Sequence, residues 1–271
     1  MGVYPAYALN AALRVGFSER PMSMRLNIIT YNIWNTERWA HRESALRKFL
    51  ELFRPDIFCV QELMPKTRDV IDKVLSDHDR VHDRLAGWNR ESNIWWRRSL
   101  FSESEHGAVA VGIADSKYRR LFWVRLASED RTILVSTAHL SHQRAPRELK
   151  TGHSPRVGET NRIIASLKRL ASPREPVFFM GDFNDPAGAP TILHQAGYPS
   201  CFAVLGLVPD TTFKCYPTAD VAPGKFVMNE TVDWIVANKE ARPIAACVPR
   251  FYLKDSAPSD HWPVQAVYEI A

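Results

Sequence analysis

Val177-Phe178-Phe179-Met180-Gly181-Asp182-Phe183-Asn184-Asp185-Pro186 runs from an unbroken apolar stretch straight into a box of acids and amides. The four apolar residues predict a short strand buried on both faces. Acids and amides at the end of such a strand are costly unless they are hydrated, hydrogen-bonded or bound to metal. The chain closes on a second box of this kind, Ser259-Asp260-His261-Trp262-Pro263, and two further strand endings upstream are polar as well. The pattern predicts strand ends that converge on one polar site.

Working outward, residues 25–31 predict a strand that stops at Asn32. Leu46, Phe49, Leu50 and Phe53, spaced by three and four, predict an amphipathic helix over 40–53. Arg54-Pro55 ends it, because the residue before a proline avoids helical backbone. Ile57-Phe58-Cys59-Val60 is a short buried strand running into Gln61-Glu62, and Val70, Ile71, Val74 and Leu75 mark a second helix. Strand-like runs at 94–96, 108–113, 121–126 and 133–138 lie too close together for crossover helices, which predicts an antiparallel meander delivering His139 at its end. A helix is expected at about 156–170, with Ile163, Ile164, Leu167 and Leu170 on one side. Later strands are expected at 177–180, 232–236, 245–253 and 264–268. The Pro- and Gly-rich stretch 185–230 predicts long loops with one short helix near Thr191. Strand–helix units in both halves predict an α/β four-layer sandwich: two mixed β-sheets packed face to face with helices outside.

The 271 residues show no linker and no internal repeat, so one catalytic-sized domain over 25–271 is expected, with 1–24 as a poorly ordered leader. That leader lacks a charged start ahead of an apolar core, which argues against a secretory signal. Apolar residues are 45% and charged residues 24%, the balance of a soluble globular protein. No stretch approaches the roughly 20 apolar residues of a membrane helix. Cys59, Cys201, Cys215 and Cys247 form no CxxC pair, which excludes the common zinc and redox motifs and fits a reducing cytoplasm. Lys and Arg exceed Asp and Glu by 35 to 30, an excess that permits an anionic partner without demanding one. A monomer is the default expectation.

Each polar ending has an ordinary reading when taken alone: a turn at Asn32, a solvated strand end at Glu62, an Asx-turn at Asp182 and Asn184. Together, Thr30-Tyr31-Asn32, Gln61-Glu62, Ala138-His139-Leu140, Gly181-Asp182-Phe183-Asn184, Val232-Asp233-Trp234-Ile235 and Ser259-Asp260-His261 follow in one order across residues 25–270. In that order the chain resembles the endonuclease/exonuclease/phosphatase family, the deoxyribonuclease-like metal-dependent phosphohydrolases. The resemblance implies a divalent-metal-dependent hydrolase of phosphate esters, with a phosphodiesterase or nuclease foremost and a phosphatase of small or lipid phosphoesters as the alternative. It implies Mg2+ or Mn2+ held by Glu62 with Asn32 and Asp260. It gives Asp182 the task of activating water, Asn184 and His139 that of donating to phosphate oxygens, and His261, oriented by Asp233, that of acid/base or phosphate ligand.

These residue types suit the chemistry. Hard divalent cations prefer oxygen ligands and stabilise the charge on a phosphoryl group, and a carboxylate fixes the tautomer of a histidine beside it. Many nucleases of the family carry an acid partner for the His139 position, but the matching stretch, Asn93-Ile94-Trp95-Trp96-Arg97, contains none. Ser136-Thr137-Ala138-His139 weighs against the abasic-site branch of the family. For substrate contacts, the basic stretch 139–169 offers Arg144 and Arg156, and Trp34 and Trp39 are placed to stack on bases.

Overall fold

The computed structural model describes residues 23–113, 116–143, 146–214 and 230–270. Strand β1 (Met24–Asn32), helix α1 (Trp39–Phe53), β2 (Ile57–Gln61), α2 (Pro65–Val74), β3 (His78–Arg80), α3 (Gly87–Arg90) and β4 (Ser92–Arg97) come first. A run of three strands follows, β5 (Ser102–Val109), β6 (Leu121–Ala127) and β7 (Thr132–His139). Then come α4 (Pro146–Thr151), α5 (Pro155–Leu170), β8 (Val177–Asp182), α6 (Gly188–Gln195) and α7 (Cys201–Leu205). Strands β9 (Asp233–Ala237), β10 (Ala241–Cys247) and β11 (Val264–Ile270) complete the chain. The expected leader falls mostly on 1–22, outside the described residues; Met24, its last residue, pairs with Ile270 in β1.

Two sheets result, one of six strands in the order β10-β11-β1-β2-β4-β3 and one of five in the order β5-β6-β7-β8-β9. Among the described residues, only the β1–β2 and β7–β8 pairs are parallel; each is bridged by a crossover containing α1 or α5. Their strands are apolar on both faces, as strands covered on both sides must be. Leu26, Ile28, Ile57, Cys59, Ile94 and Trp96 belong to the core between the sheets. The alternate residues Ile29, Tyr31, Phe58, Val60 and Trp95 pack with Leu46, Phe49 and Leu50 of α1 and Val70 and Ile71 of α2 in a second core. Helices therefore lie outside a pair of stacked sheets, the expected four layers.

The helix ends follow local chemistry. At Arg54 the backbone turns left-handed and its N–H caps the Leu50 carbonyl, which frees Pro55 from the helix. Pro65 and Pro155 sit in the first turns of α2 and α5, where a missing N–H costs nothing.

Several expectations are corrected, and edge strands account for most of them. The 94–96 strand is not part of the meander; as β4 it pairs with β2 and β3 in the six-stranded sheet, leaving β5-β6-β7 as the meander. The strand expected at 108–113 is β5, which starts at Ser102 and is solvated through Ser102–Glu105 because it lies at a sheet edge. The 245–253 strand is β10, shifted to 241–247, also at an edge and bulged beside Pro243. An edge strand buries little, so apolar content does not mark it. Strand β3 and the short helices α3, α4 and α7 have no long apolar period and leave no mark in the sequence pattern. Among the described residues, no helix is long and apolar enough to cross a membrane.

Candidate active site

Strand direction explains why the polar boxes meet. Both members of each parallel pair end at the same rim: Asn32 lies beside Gln61, and His139 beside Asp182. Their antiparallel neighbours begin there, so Asp233 opens β9 opposite Asp182, and 259–261 precedes Val264, which faces Thr30. A buried rung joins the sheets beneath this rim, with Gln61 Nε2 donating to Thr137 Oγ1 at 2.8 Å and to Thr30 Oγ1 at 3.1 Å.

Gly181 permits the close approach of β7 and β8 just before Asp182. Its φ is 147°, and a Cβ at this position would lie 2.0 Å from the Ala138 carbonyl oxygen. Glu62 and Asn184 adopt left-handed backbone, with φ of 55° and 48°. Such strain costs on the order of 1–3 kcal/mol per residue and is characteristic of functional sites.

Asp182 is the centre of the constellation. Its Oδ1 accepts from the Asn184 backbone N–H at 2.9 Å, and its Oδ2 accepts from Asn32 Nδ2 at 3.0 Å, a bond that ties the two sheets together. Nε2 of His139 lies 3.3 Å from the same Oδ2 and Nε2 of His261 lies 3.8 Å from it. Behind His261, Asp233 Oδ2 sits 2.8 Å from Nδ1. Burial opposes charge on His261, but Asp233 and then Asp182 outweigh it and raise the imidazole to about 10. Asn184 donates from Nδ2 to the Leu140 carbonyl at 3.0 Å.

His139 does have an acid partner. Glu91, between α3 and β4, places Oε1 3.1 Å from its Nδ1. The acid expected within 93–97 lies two residues earlier, in a loop that no strand pattern marks. Burial raises Glu91 to about 7 despite the attraction of Arg119, whose Nε is 3.5 Å away. Burial, helped by the positive charge of Arg119, lowers His139 to about 4. Nδ1 of the neutral imidazole thus faces the Glu91 carboxyl and Nε2 faces Asp182; when Glu91 carries its proton it donates to Nδ1, and Nε2–H is directed at Asp182.

Glu62 and Asp260 form the other half of the site. Asn32 Nδ2 reaches Glu62 Oε1 at 3.3 Å and Asn35 Nδ2 reaches Oε2 at 3.1 Å. Asn35 is a loop asparagine, a residue that carries no signal of its own in the sequence. The Trp34 N–H donates to Asn32 Oδ1 at 3.0 Å, so the Asn32 oxygen is engaged there and its amide nitrogen faces the carboxylates. Asn32 thus bonds to both Glu62 and Asp182 through its amide nitrogen. Burial, and then the charge of Glu62, raise Asp260 to about 6. Two carboxylates that repel one another in a buried, oxygen-rich corner fit a hard divalent cation. A second possible set is Asp182, Asp233 and His261, whose ligand atoms lie within 4.8 Å of one another. Its imidazole suits softer metals than magnesium, and Asp233 is already bonded to His261.

The expected substrate residues are placed less uniformly. Arg156 is buried and bonded to both oxygens of Glu148 and to the Ser141 carbonyl, so the expectation that it reaches substrate phosphates is corrected to a structural tie. Arg144 lies outside the described residues. Trp34 is half-buried, with the Arg42 guanidinium 5.3 Å from its ring. Trp39 is buried, as are Trp88, Trp95 and Trp96.

The comparisons agree with this geometry. The structure resembles TDP2 from D. rerio solved with a single-strand DNA product, with a TM-score of 0.71 and 18% identity over 90% of this chain and 98% of that one. It resembles a mannosyl-6-phosphatase from Bacteroides thetaiotaomicron VPI-5482 as well, with a TM-score of 0.70 and 18% identity over 91% of this chain and 100% of that one. An endonuclease/exonuclease/phosphatase family protein from Bacteroides thetaiotaomicron gives 0.73 and 16% over 92% and 99%. At these identities the likeness establishes the fold. No curated protein sequence matches the chain. The sequence profile of one family, however, spans residues 29–261, taking in every polar strand ending from Asn32 to His261. The chain therefore belongs to the endonuclease/exonuclease/phosphatase family, a family of phosphoester hydrolases.

Proposed function

We propose that this protein is a divalent-metal-dependent phosphodiesterase in which Asp182 activates the attacking water. The observation that carries this reading is the meeting of Asn32, His139 and His261 around one oxygen of Asp182, with Glu62 and Asp260 on the same rim. Glu62 and Asp260 would hold Mg2+ or Mn2+, with Asn32 and Asn35 orienting Glu62. Such a cation, when bound, withdraws charge from phosphoryl oxygens. Nε2–H of neutral His139 donates to a phosphate oxygen, with its tautomer held by Glu91. Protonated His261 binds a second oxygen or gives its proton to the leaving oxygen, and Asp233 keeps it charged. Asn184 lends a neutral amide beside them.

A cleft of about 400 Å³ is lined by Glu62, Met64, Arg90, Glu91, Tyr118 and Arg119. That is room for one organic substituent on phosphorus. The Tyr118 ring and the Arg90 guanidinium favour a nucleotide there, which supports nucleic acid as the substrate. The single-strand DNA product bound by TDP2 points the same way. The alternative is a small or lipid phosphoester, and the mannosyl-6-phosphatase has the same fold.

A panel of single-stranded DNA, abasic duplex, RNA, nucleotides, sugar and inositol phosphates and phospholipids, assayed with Mg2+, Mn2+ and chelator, tests the proposal. Turnover should require Mg2+ or Mn2+ and vanish in chelator; full activity in chelator removes the metal from the mechanism. Tyr118→Ala and Trp34→Ala should each lower kcat/KM on an oligonucleotide about tenfold, the low end of one lost stacking contact, and spare a small chromogenic diester. Equal losses on both substrates would count against stacking.

A further inference from the structure

We infer that Arg42 sets the spacing between the two loops that position the candidate cation ligands. This deepens the metal-dependent reading and rests on it. Arg42 projects from α1, is fully buried, and offers five N–H donors in a rigid plane. All five meet main-chain carbonyls. Nε donates to Glu37 O at 2.5 Å, Nη1 to Ile33 O at 2.6 Å and Pro258 O at 2.8 Å, and Nη2 to Trp34 O and to Asn35 O at 2.9 Å. Four of these carbonyls belong to the loop between β1 and α1, and the fifth immediately precedes Ser259-Asp260-His261. The rings of Trp34 and Trp39 pack near the guanidinium at 5.3 and 5.2 Å.

The loop so gathered is not one the backbone adopts readily. Trp34, Asn35 and Arg38 all have positive φ, at 53°, 38° and 49°. Its inward carbonyls need a donor array to hold them, and its outward groups are those that orient the site. Asn35 holds Glu62 at 3.1 Å, and the Trp34 N–H fixes the amide of Asn32 at 3.0 Å. On the other side, Ser259 Oγ donates to the carbonyl of Asn32, the last residue of β1 and the one from which the 33–38 loop springs, at 2.6 Å, a second tie to the 258–261 segment. Burying a cation costs several kcal/mol, and apolar side chains often fill such a space equally well. What an apolar residue does not supply is a fixed distance between Pro258 and the 33–37 loop. A lysine has three donors on a flexible stem and cannot copy the planar fork.

The test is Mn2+ binding to the full chain without substrate, by calorimetry or by the paramagnetic resonance of free Mn2+, together with thermal melting in the presence and absence of Mn2+. Arg42→Lys should bind Mn2+ about tenfold or more weakly, the range seen when the orienting partners of a metal ligand are lost. Its melting point should rise less on adding Mn2+ than that of the wild type. A variant that melts lower yet keeps wild-type Mn2+ affinity would make Arg42 a packing residue only and overturn the inference. If Arg42→Lys does not fold, Ser259→Ala removes the other tie and should weaken Mn2+ in the same direction; unchanged affinity there overturns it equally. A wild-type chain that binds no Mn2+ overturns the metal reading itself, a separate outcome.

Discussion

Asp182→Asn is expected to lower turnover by about 10³-fold, within the range for losing a positioned base and the charge around it. The substitution keeps the shape of the side chain and removes what the site is built around. Oδ1 and Oδ2 both accept hydrogen bonds, from the Asn184 N–H and from Asn32 Nδ2. An asparagine has one acceptor oxygen, so either orientation sets its NH2 group against a donor. Turning Nδ2 toward Asn32 would also aim it at Nε2 of His139, 3.3 Å from that position, where the proposed tautomer carries its own proton. The variant therefore loses the base, weakens the tie between the sheets, and costs about 1–3 kcal/mol of stability from an unsatisfied buried group. Circular dichroism and the melting curve should show an intact fold with a lowered midpoint. Turnover within about tenfold of wild type, below the usual contribution of a general base, would take Asp182 out of the mechanism.

The parts of this architecture visible in the sequence are those where burial dictates residue type. Strands β1, β2, β7 and β8 are apolar on both faces, so they read clearly, and so did the polar residues that end them. Helices α1 and α5 are long enough to show their period. Edge strands did not read clearly: Ser102–Glu105 is solvated, and β10 alternates with exposed positions. The polar residues at strand ends, such as Asn32, His139 and Asp182, stand out by the same logic, and the parallel pairs bring them to one rim. Those on irregular loops do not. Glu91 and Asn35 have no neighbouring apolar pattern, and their roles appear only when the chain brings them against His139 and Glu62. Arg156 shows the converse error. A basic residue near the site suggested a phosphate contact, but Glu148 and the Ser141 carbonyl hold its guanidinium. Local charge in a sequence does not reveal which partner a fold will supply.

His261→Ala is expected to cost about 10²–10⁴-fold in turnover, the span for a positioned acid or base. Asp233→Asn is the more informative variant because it leaves the ring in place and changes its proton. In the wild type, the carboxylates of Asp233 and Asp182 raise His261 from 6.5 to about 10 against the opposing effect of burial. Its proton is therefore held across neutral pH, and activity that needs the charged ring declines only as pH rises through that raised value. A bound cation opposes the proton, but Asp233 remains its main support. Without the Asp233 charge, burial dominates and the value falls, so the alkaline limb of the kcat/KM profile should move to lower pH. An alkaline limb at the same pH in both proteins would show that His261 does not act as a charged group. The variant also separates the two cation sites. If Glu62 and Asp260 hold the cation, Asp233→Asn should shift the pH profile while leaving Mn2+ affinity nearly unchanged. If Asp182, Asp233 and His261 hold it instead, the same change removes a ligand, and Mn2+ affinity should fall even at a pH where His261 is neutral in both proteins.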